Sequence, residues 1–261
     1  DKGYSYNLGL SASKKFDNGI DFSATYSYGD SFAIYEQTSS QNSSNWRGQV
    51  HVNGRNSQLP VERSRFAQGH RVISSISYNY EWNDNLKTSF GLFYEGRQGV
   101  PYSYVYNGRL ANDDSRTNRA LMYIPRDASE INLEDSSNWS ALNSFIESND
   151  YLSGRRGQYA EKNALFGPWS DIVDLRIAQD IKIQKNTLQI TMDIFNFSNL
   201  VNKNWGRKFF IPSLTTPLVV EQGGPDPQFS WRSGSDDLRV NTNNTIGSRW
   251  VAQFGVRYTF K

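Results

Sequence analysis

Two kinds of connection alternate along this chain, and that asymmetry limits the folds open to it more than any other feature. Tyr4, Tyr6, Leu8, Leu10 and Ala12 alternate with small or polar neighbours, Asp17-Asn18-Gly19 offers a tight turn, and Ile20, Phe22, Ala24, Tyr26 and Tyr28 carry the apolar row back. Asn and Gly tolerate the positive φ that short hairpin turns need, so the pattern predicts a hairpin. The scheme repeats from Val72 to Trp82 and Leu86 to Tyr94 around Asn83-Asp84-Asn85, and from Val173 to Ile177 and Leu188 to Ile194 around Gln184-Lys185-Asn186. A seventh segment closes the chain, with Trp250, Ala252, Phe254, Val256, Tyr258 and Phe260 in one row and Arg249, Val251, Gln253, Gly255, Arg257 and Thr259 in the other. Between the hairpins run connections of about 37–69, 97–170 and 199–247, far longer than compact soluble domains use.

Outer-membrane barrels have this asymmetry, with short periplasmic turns, long extracellular loops and strands that alternate apolar outward and polar inward. The expectation is therefore an all-β, antiparallel transmembrane barrel whose tight turns are periplasmic. Parity then brings the seventh strand down to a periplasmic C-terminus. The row from Trp250 to Phe260 is expected to face lipid, and Asp174, Arg176, Arg249, Gln253 and Arg257 to face the lumen with Lys14, Arg71 and Asp180. Aromatic residues gather near the strand ends, as interfacial girdles do. Single-chain bacterial barrels have even strand numbers from about 8 upward, so seven strands do not close. The chain reads as part of a larger barrel in preference to one completed by Trp205 to Val220, where Pro212 and Pro217 interrupt the ladder donors. A soluble carbohydrate-binding β-sandwich is the alternative, and it requires a second sheet over the apolar rows.

Composition narrows the function classes. Apolar residues make up only 37% of the chain while aromatics reach 14%, a poor core by soluble standards. No apolar run is long enough for a transmembrane helix, and no basic, apolar leader precedes the first strand; the leader has been removed or the chain is a piece of a longer one. The absence of cysteine removes disulfides, thiolate metal sites and Cys nucleophiles. Lys and Arg are scattered at a net charge of +2, which argues against a nucleic-acid partner. Histidine occurs only at 51 and 70, and Asp113-Asp114 and Asp236-Asp237 read as solvated loop charges. Asp236 and Asp237 with Asn241 and Asn243 are the one metal candidate, for Ca²⁺, but they lack the spacing of the known loop. No catalytic motif appears, so neither an enzyme nor a cofactor is expected.

Ligand chemistry is expected in the loops. Extended, "VPYSYVYNG" sets Tyr102, Tyr104 and Tyr106 on one face, and Trp46, Trp139, Trp205 and Trp231 lie in other connections. Such rings can stack on sugars or clamp peptides, or they can hold the loops together. Residues 136–149 have the spacing of a short helix capped by Ser136 or Ser137.

The stretch "DIVDLRIAQDIKIQKNTLQITMDIFNFSNLVNK" from Asp171, with Asp174, Arg176, Gln179, Asp180, Asp193, Asn196, Phe197 and Asn199, and the closing "SRWVAQFGVRYTFK", resemble the C-terminal end of a Bacteroidetes-type TonB-dependent outer-membrane receptor, Oar-like or SusC-like. Gly167-Pro168-Trp169 is similar to the segment that leads in. Members end on an aromatic residue, whereas Lys261 follows Phe260 here. The resemblance implies a barrel of about 22 strands, a plug that these residues do not include, and energised uptake of a bulky nutrient: glycan, peptide or chelate. The implied partners are the bilayer, the TonB-ExbB-ExbD complex acting through the plug, and a SusD-like surface lipoprotein. Oar-like relatives imply adhesion or protein export instead.

Overall fold

The computed structural model describes residues 2–52, 54, 59–111, 113–232, 239–240 and 247–260. Seven long strands pair antiparallel in chain order: β1 (Tyr4–Lys15), β2 (Ile20–Ala33), β3 (Gly69–Asn83), β4 (Leu86–Arg97), β5 (Ser170–Ile183), β6 (Asn186–Phe195) and β7 (Val251–Thr259). A two-residue strand, Glu62–Arg63, extends the end of β2. The sheet is open, with β1 and β7 as its two edges.

Register explains why this sequence makes one sheet. Phe254 lies opposite Met192, Met192 opposite Ile177, Ile177 opposite Phe90, Phe90 opposite Tyr78 and Tyr78 opposite Ile20. Residues directly opposite share a face, so one apolar row crosses from β7 to β2. One residue along, Gln253, Asp193, Arg176, Gly91, Ser77, Asp21 and Lys15 form the matching row on the other face. A slip of one residue at any pair would exchange these faces, and this pins the register.

The turns carry the chemistry expected of them. Gly19 adopts φ +85°, and Phe16 and Ile20 close the first turn with a 2.8 Å backbone bond. Asn83 Oδ1 accepts from Asn85 N and Leu86 N at 2.9 and 3.0 Å in the second. Gln184 takes the left-handed conformation in the third, at φ 56°.

Lys14 is corrected by the register. It lies opposite Phe22, on the apolar face and not the polar one. It is the last residue but one of β1, with Nζ 4.8 Å from the Phe16 ring centroid. From a strand end a lysine can lay its stem along apolar surface and carry the ammonium out to water.

The apolar core does not belong to this sheet. Among the described residues, only Ala178 and Ile194 of the seven strands are buried and apolar, while Phe254 and Val256 are 72% and 75% exposed. The core lies instead in the long connections, where Val105, Leu121, Met122, Ile124, Leu142, Ile146, Leu152 and Leu218 are almost wholly buried. They fold together as a cap at the end of the sheet opposite the tight turns. Its centre is a four-stranded sheet in the order Gln228–Trp231, Leu214–Gln222, Pro101–Asn107, Leu165–Phe166, with the middle pair parallel. Leu214–Gln222 thus belongs to the cap, and the stretch from Trp205 to Val220 supplies no eighth strand to the long sheet.

The helix expected at 136–149 forms as a 3₁₀ turn, Ser136–Asn138, running into Trp139–Glu147. Its cap is Asp135, whose carboxylate accepts from Ser137 N, and not Ser136 or Ser137. The helix buries Leu142, Phe145 and Ile146 in the cap core. Ile146→Ala should therefore cost about 2–5 kcal/mol of cap stability. Proteolysis of the cap should quicken while the seven-stranded sheet still resists unfolding in detergent; equal resistance of the cap in both proteins would contradict this placement of the core.

Candidate functional site

The polar face of the sheet changes character from one edge to the other. Midway along β1 to β4 it carries small hydroxyl and amide side chains that bond across strands, with Lys15 and Asp21 toward the turns and Arg71, Glu95 and Arg97 toward the cap. Ser11 Oγ lies 2.9 Å from Thr25 Oγ1, Ser23 Oγ 2.8 Å from Ser75 Oγ, and Ser89 Oγ donates to Asn79 Oδ1 at 2.7 Å. On β4 to β7 it is charged. Glu81 at the end of β3, Lys87, Asp180, the neutral Gln189 and Arg257 stand opposite one another in one row whose first three charges alternate in sign, and Arg176 Nη1 reaches Asp193 Oδ1 at 2.9 Å. Gln189 donates to Asp180 at 2.8 Å. Exposed pairs of this kind add little to stability. Of the residues expected on this face, Asp174, Arg176, Gln253 and Arg257 fall on it by register, and Arg249 precedes β7, exposed.

Asp174 also has a structural task. It accepts from Asn196 N at 2.7 Å, where Asn196 takes φ 54° and turns the chain from β6 into the helix Phe197–Val201. Asn196 donates to Gly206 O at 2.8 Å, and Asn199 donates to Lys203 O and Trp205 O. A Cβ on Gly206 would run into Asn196 Oδ1. Asp174, Asn196 and Asn199 thus tie β5, β6 and the third connection together.

The apolar face carries aromatic groups at both ends. Tyr4 stacks on Phe32 at 4.9 Å, and Tyr26 and Tyr28 meet His70 near the cap. Tyr80 packs on Trp82 at 4.7 Å, and Tyr258 on Phe260 at 4.8 Å, near the turns. Between them lie Leu8, Leu10, Phe22, Ile76, Phe90, Leu92, Ile190 and Phe254, all at least 40% exposed. Trp250, Ala252, Phe254, Val256, Tyr258 and Phe260 are exposed together along the β7 edge. A soluble sandwich would cover these rows with a second sheet, and among the described residues none does.

The loop tyrosines do not form the ligand row expected of them. Tyr102, Tyr104 and Tyr106 are 6%, 2% and 4% exposed, because the strand that carries them is sandwiched inside the cap. Tyr106 stacks on Phe229 at 4.7 Å, and Tyr104 meets Phe145 edge-on at 5.9 Å. Burial raises the Tyr106 hydroxyl well above the usual tyrosine range. Trp139 and Trp231 pack against the same core, Trp231 at 5.2 Å from Phe145. Trp46 and Trp205 remain exposed, on the first and third connections. Asp236 and Asp237, with Asn241 and Asn243, lie outside the described residues; among those described no group of three or more potential metal ligands occurs.

Two polar residues without a sequence signal join the connections. His51 is 3% exposed, forms a bridge to Ala120, and accepts from Gly54 N at 2.9 Å through Nδ1. Burial lowers its pKa, against a smaller opposing effect of Asp113. The native cap thus binds fewer protons here than the unfolded chain. This contribution is present above the ordinary value of roughly 6.5 and is lost as pH falls through the depressed native value. Glu62, whose pKa burial raises, works in the opposite sense. Cap resistance to protease should fall on acidification below about pH 6.5, and His51→Asn should remove that component; the same pH profile in both proteins would contradict this role.

Arg63 is the second. It donates from Nε to both carboxylate oxygens of Asp30 at 3.1 Å, and from Nη1 to Asn163 O and Ala164 O. It therefore fastens β2 to two connections.

Where the cap meets the polar face, a cleft of about 480 Å³ opens between Arg71 and Arg97 on the strands and Arg65, Phe66, Lys208 and Phe210 on the connections. No motif marked it, because Lys208 arrives from a connection more than a hundred residues after Arg97.

A family model described as an outer membrane beta barrel domain matches residues 2–206. No curated protein and no solved structure matches the chain.

Proposed function

The chain belongs to the outer membrane beta barrel domain family, and from that premise we propose that it supplies wall strands and the ligand-facing cap of an energised outer-membrane transporter. A barrel of this family sits in the lipid bilayer, so the exposed apolar rows meet acyl chains and the aromatic ends meet the two interfaces. In this reading the tight turns and the end of β7 are periplasmic, and the cap is extracellular. The strands that continue β1 and β7 complete a barrel of about 22 strands, and the polar face lines its lumen.

The observation that carries the transport reading is the polar face itself. A seven-stranded wall with rows of mixed charge suits a wide lumen holding a hydrated protein plug, whose own polar groups would bond to Arg176, Asp180, Asp193 and Arg257. A ligand held at the cap then waits for the periplasmic TonB-ExbB-ExbD machinery to pull on that plug. A surface lipoprotein of SusD type would close over the cap in the import of glycans or peptides.

Capture on immobilised TonB periplasmic domain tests the proposal without knowledge of the ligand. The intact protein, extracted from its native membrane in detergent, should be retained, and a lipoprotein should co-purify if import is of the SusC kind. Failure of the intact protein to bind TonB would overturn the energised transport reading.

A further inference from the structure

Cations outnumber carboxylates in the cleft between cap and polar face, and their arrangement says what should fill it. Arg71 and Arg97 are direct cross-strand partners of β3 and β4, on the polar face. Like charges set opposite one another destabilise a pair of strands. Glu95 answers one of them, reaching Arg71 Nη2 at 2.9 Å. Among the described residues Arg97, Arg65 and Lys208 have no ion pair, and all three line the same cleft. Phe66 and Phe210 stand at its rim, 65% and 40% exposed. The volume of about 480 Å³ lies in the range of small-molecule sites.

We propose that this cleft binds an oxyanion, phosphate or carboxylate, carried on an apolar body. The anion sits between Arg97, Arg65 and Lys208, and the body lies against Phe66 and Phe210. A guanidinium offers paired donors that match such an oxyanion, and a lysine adds a point charge. A lipid headgroup is not the source of the anion, because Arg71 and Arg97 stand on the face opposite the apolar rows. The inference rests on the transport reading for its purpose: the cleft is the first charge-selective station between the cap and the lumen, and it would favour acidic nutrients over neutral ones.

The test is calorimetric titration of the intact protein in detergent with phenyl phosphate, inorganic phosphate and neutral phenyl glucoside. Phenyl phosphate should bind more tightly than either of the others, and the binding should weaken as salt rises. Arg97→Gln and Lys208→Gln should each weaken it by about tenfold or more, as loss of a charge-assisted bond requires. Arg155→Gln, in a surface pair of the cap, should leave it unchanged. Each variant is first shown to be folded by its heat-dependent mobility on a gel. Binding of phenyl phosphate no better than the glucoside, or undiminished in Arg97→Gln, would overturn the proposal. TonB is absent from this titration, so a negative result beside successful TonB capture removes the anion site alone, and the converse removes only the transport reading.

Discussion

Phe254→Arg should abolish accumulation of the folded protein in the outer membrane, while Gln253→Arg, one residue away on the same strand, should leave it intact. The two positions differ only in the face they occupy. Phe254 heads the row that passes through Met192, Ile177 and Phe90, and Gln253 heads the row of Asp193 and Arg176. An arginine near the lipid midplane of a barrel costs about 2–4 kcal/mol, which is a large share of the stability of an ordinary domain. On the polar face the same side chain stays hydrated, beside the Asp193 carboxylate. Heat-dependent gel mobility of outer-membrane fractions reads the outcome. Equal accumulation of the two variants would remove the assignment of faces.

Arg63→Ala should release the cap from the sheet. Asp30 lies on the apolar-face parity of β2, yet its side chain is only 2% exposed because Arg63 covers it. Removing one partner of such a pair leaves a buried charge unanswered, at a cost of about 3–5 kcal/mol. The guanidinium also lies 5.8 Å from the Phe32 ring and 5.1 Å from Phe166, and its bonds to Asn163 O and Ala164 O are lost with it. Trypsin added to whole cells should then cut within 34–68 and 98–169, with the barrel still in place. Combining Asp30→Leu with Arg63→Met should recover part of the protection, since an apolar pair can replace a buried ion pair at little cost. Cleavage of Arg63→Ala at the rate of the parent protein would contradict the latch.

The long sheet was legible because two local signals agree along it. Alternation sets the apolar rows of β1 to β7 on one face, and Asp17-Asn18-Gly19, Asn83-Asp84-Asn85 and Gln184-Lys185-Asn186 set where each hairpin turns. The charge of Lys14 alone points to the polar face, whereas its position three residues before Asp17 lets an apolar-face lysine reach water. The cap was not legible, and for a physical reason. Tyr102, Tyr104 and Tyr106 alternate as a surface strand would, but both faces of that segment are buried, Ser103 and Val105 with the tyrosines. What buries them is a parallel strand more than a hundred residues later, Leu214–Gln222, and the helix Trp139–Glu147. Pairings of that range leave no periodic mark. The same holds for the cleft, whose Arg71 and Arg97 come from the sheet and whose Lys208 comes from the third connection. Asp135 is hard to single out as the cap because two serines follow it directly.

The most direct measurement is a scan of spin labels along β5, made practical by the absence of cysteine from these residues. Single cysteines from 172 to 181, each carrying a nitroxide in the protein reconstituted into bilayers, report collisions with dissolved oxygen and with a water-soluble nickel chelate. Oxygen should dominate at positions 173, 175 and 177 and the chelate at 172, 174, 176 and 178, in opposite phase with a period of two. The two profiles rising and falling together, or the chelate reaching the Leu175 and Ile177 positions as freely as Arg176, would contradict a wall with lipid on one face and a lumen on the other.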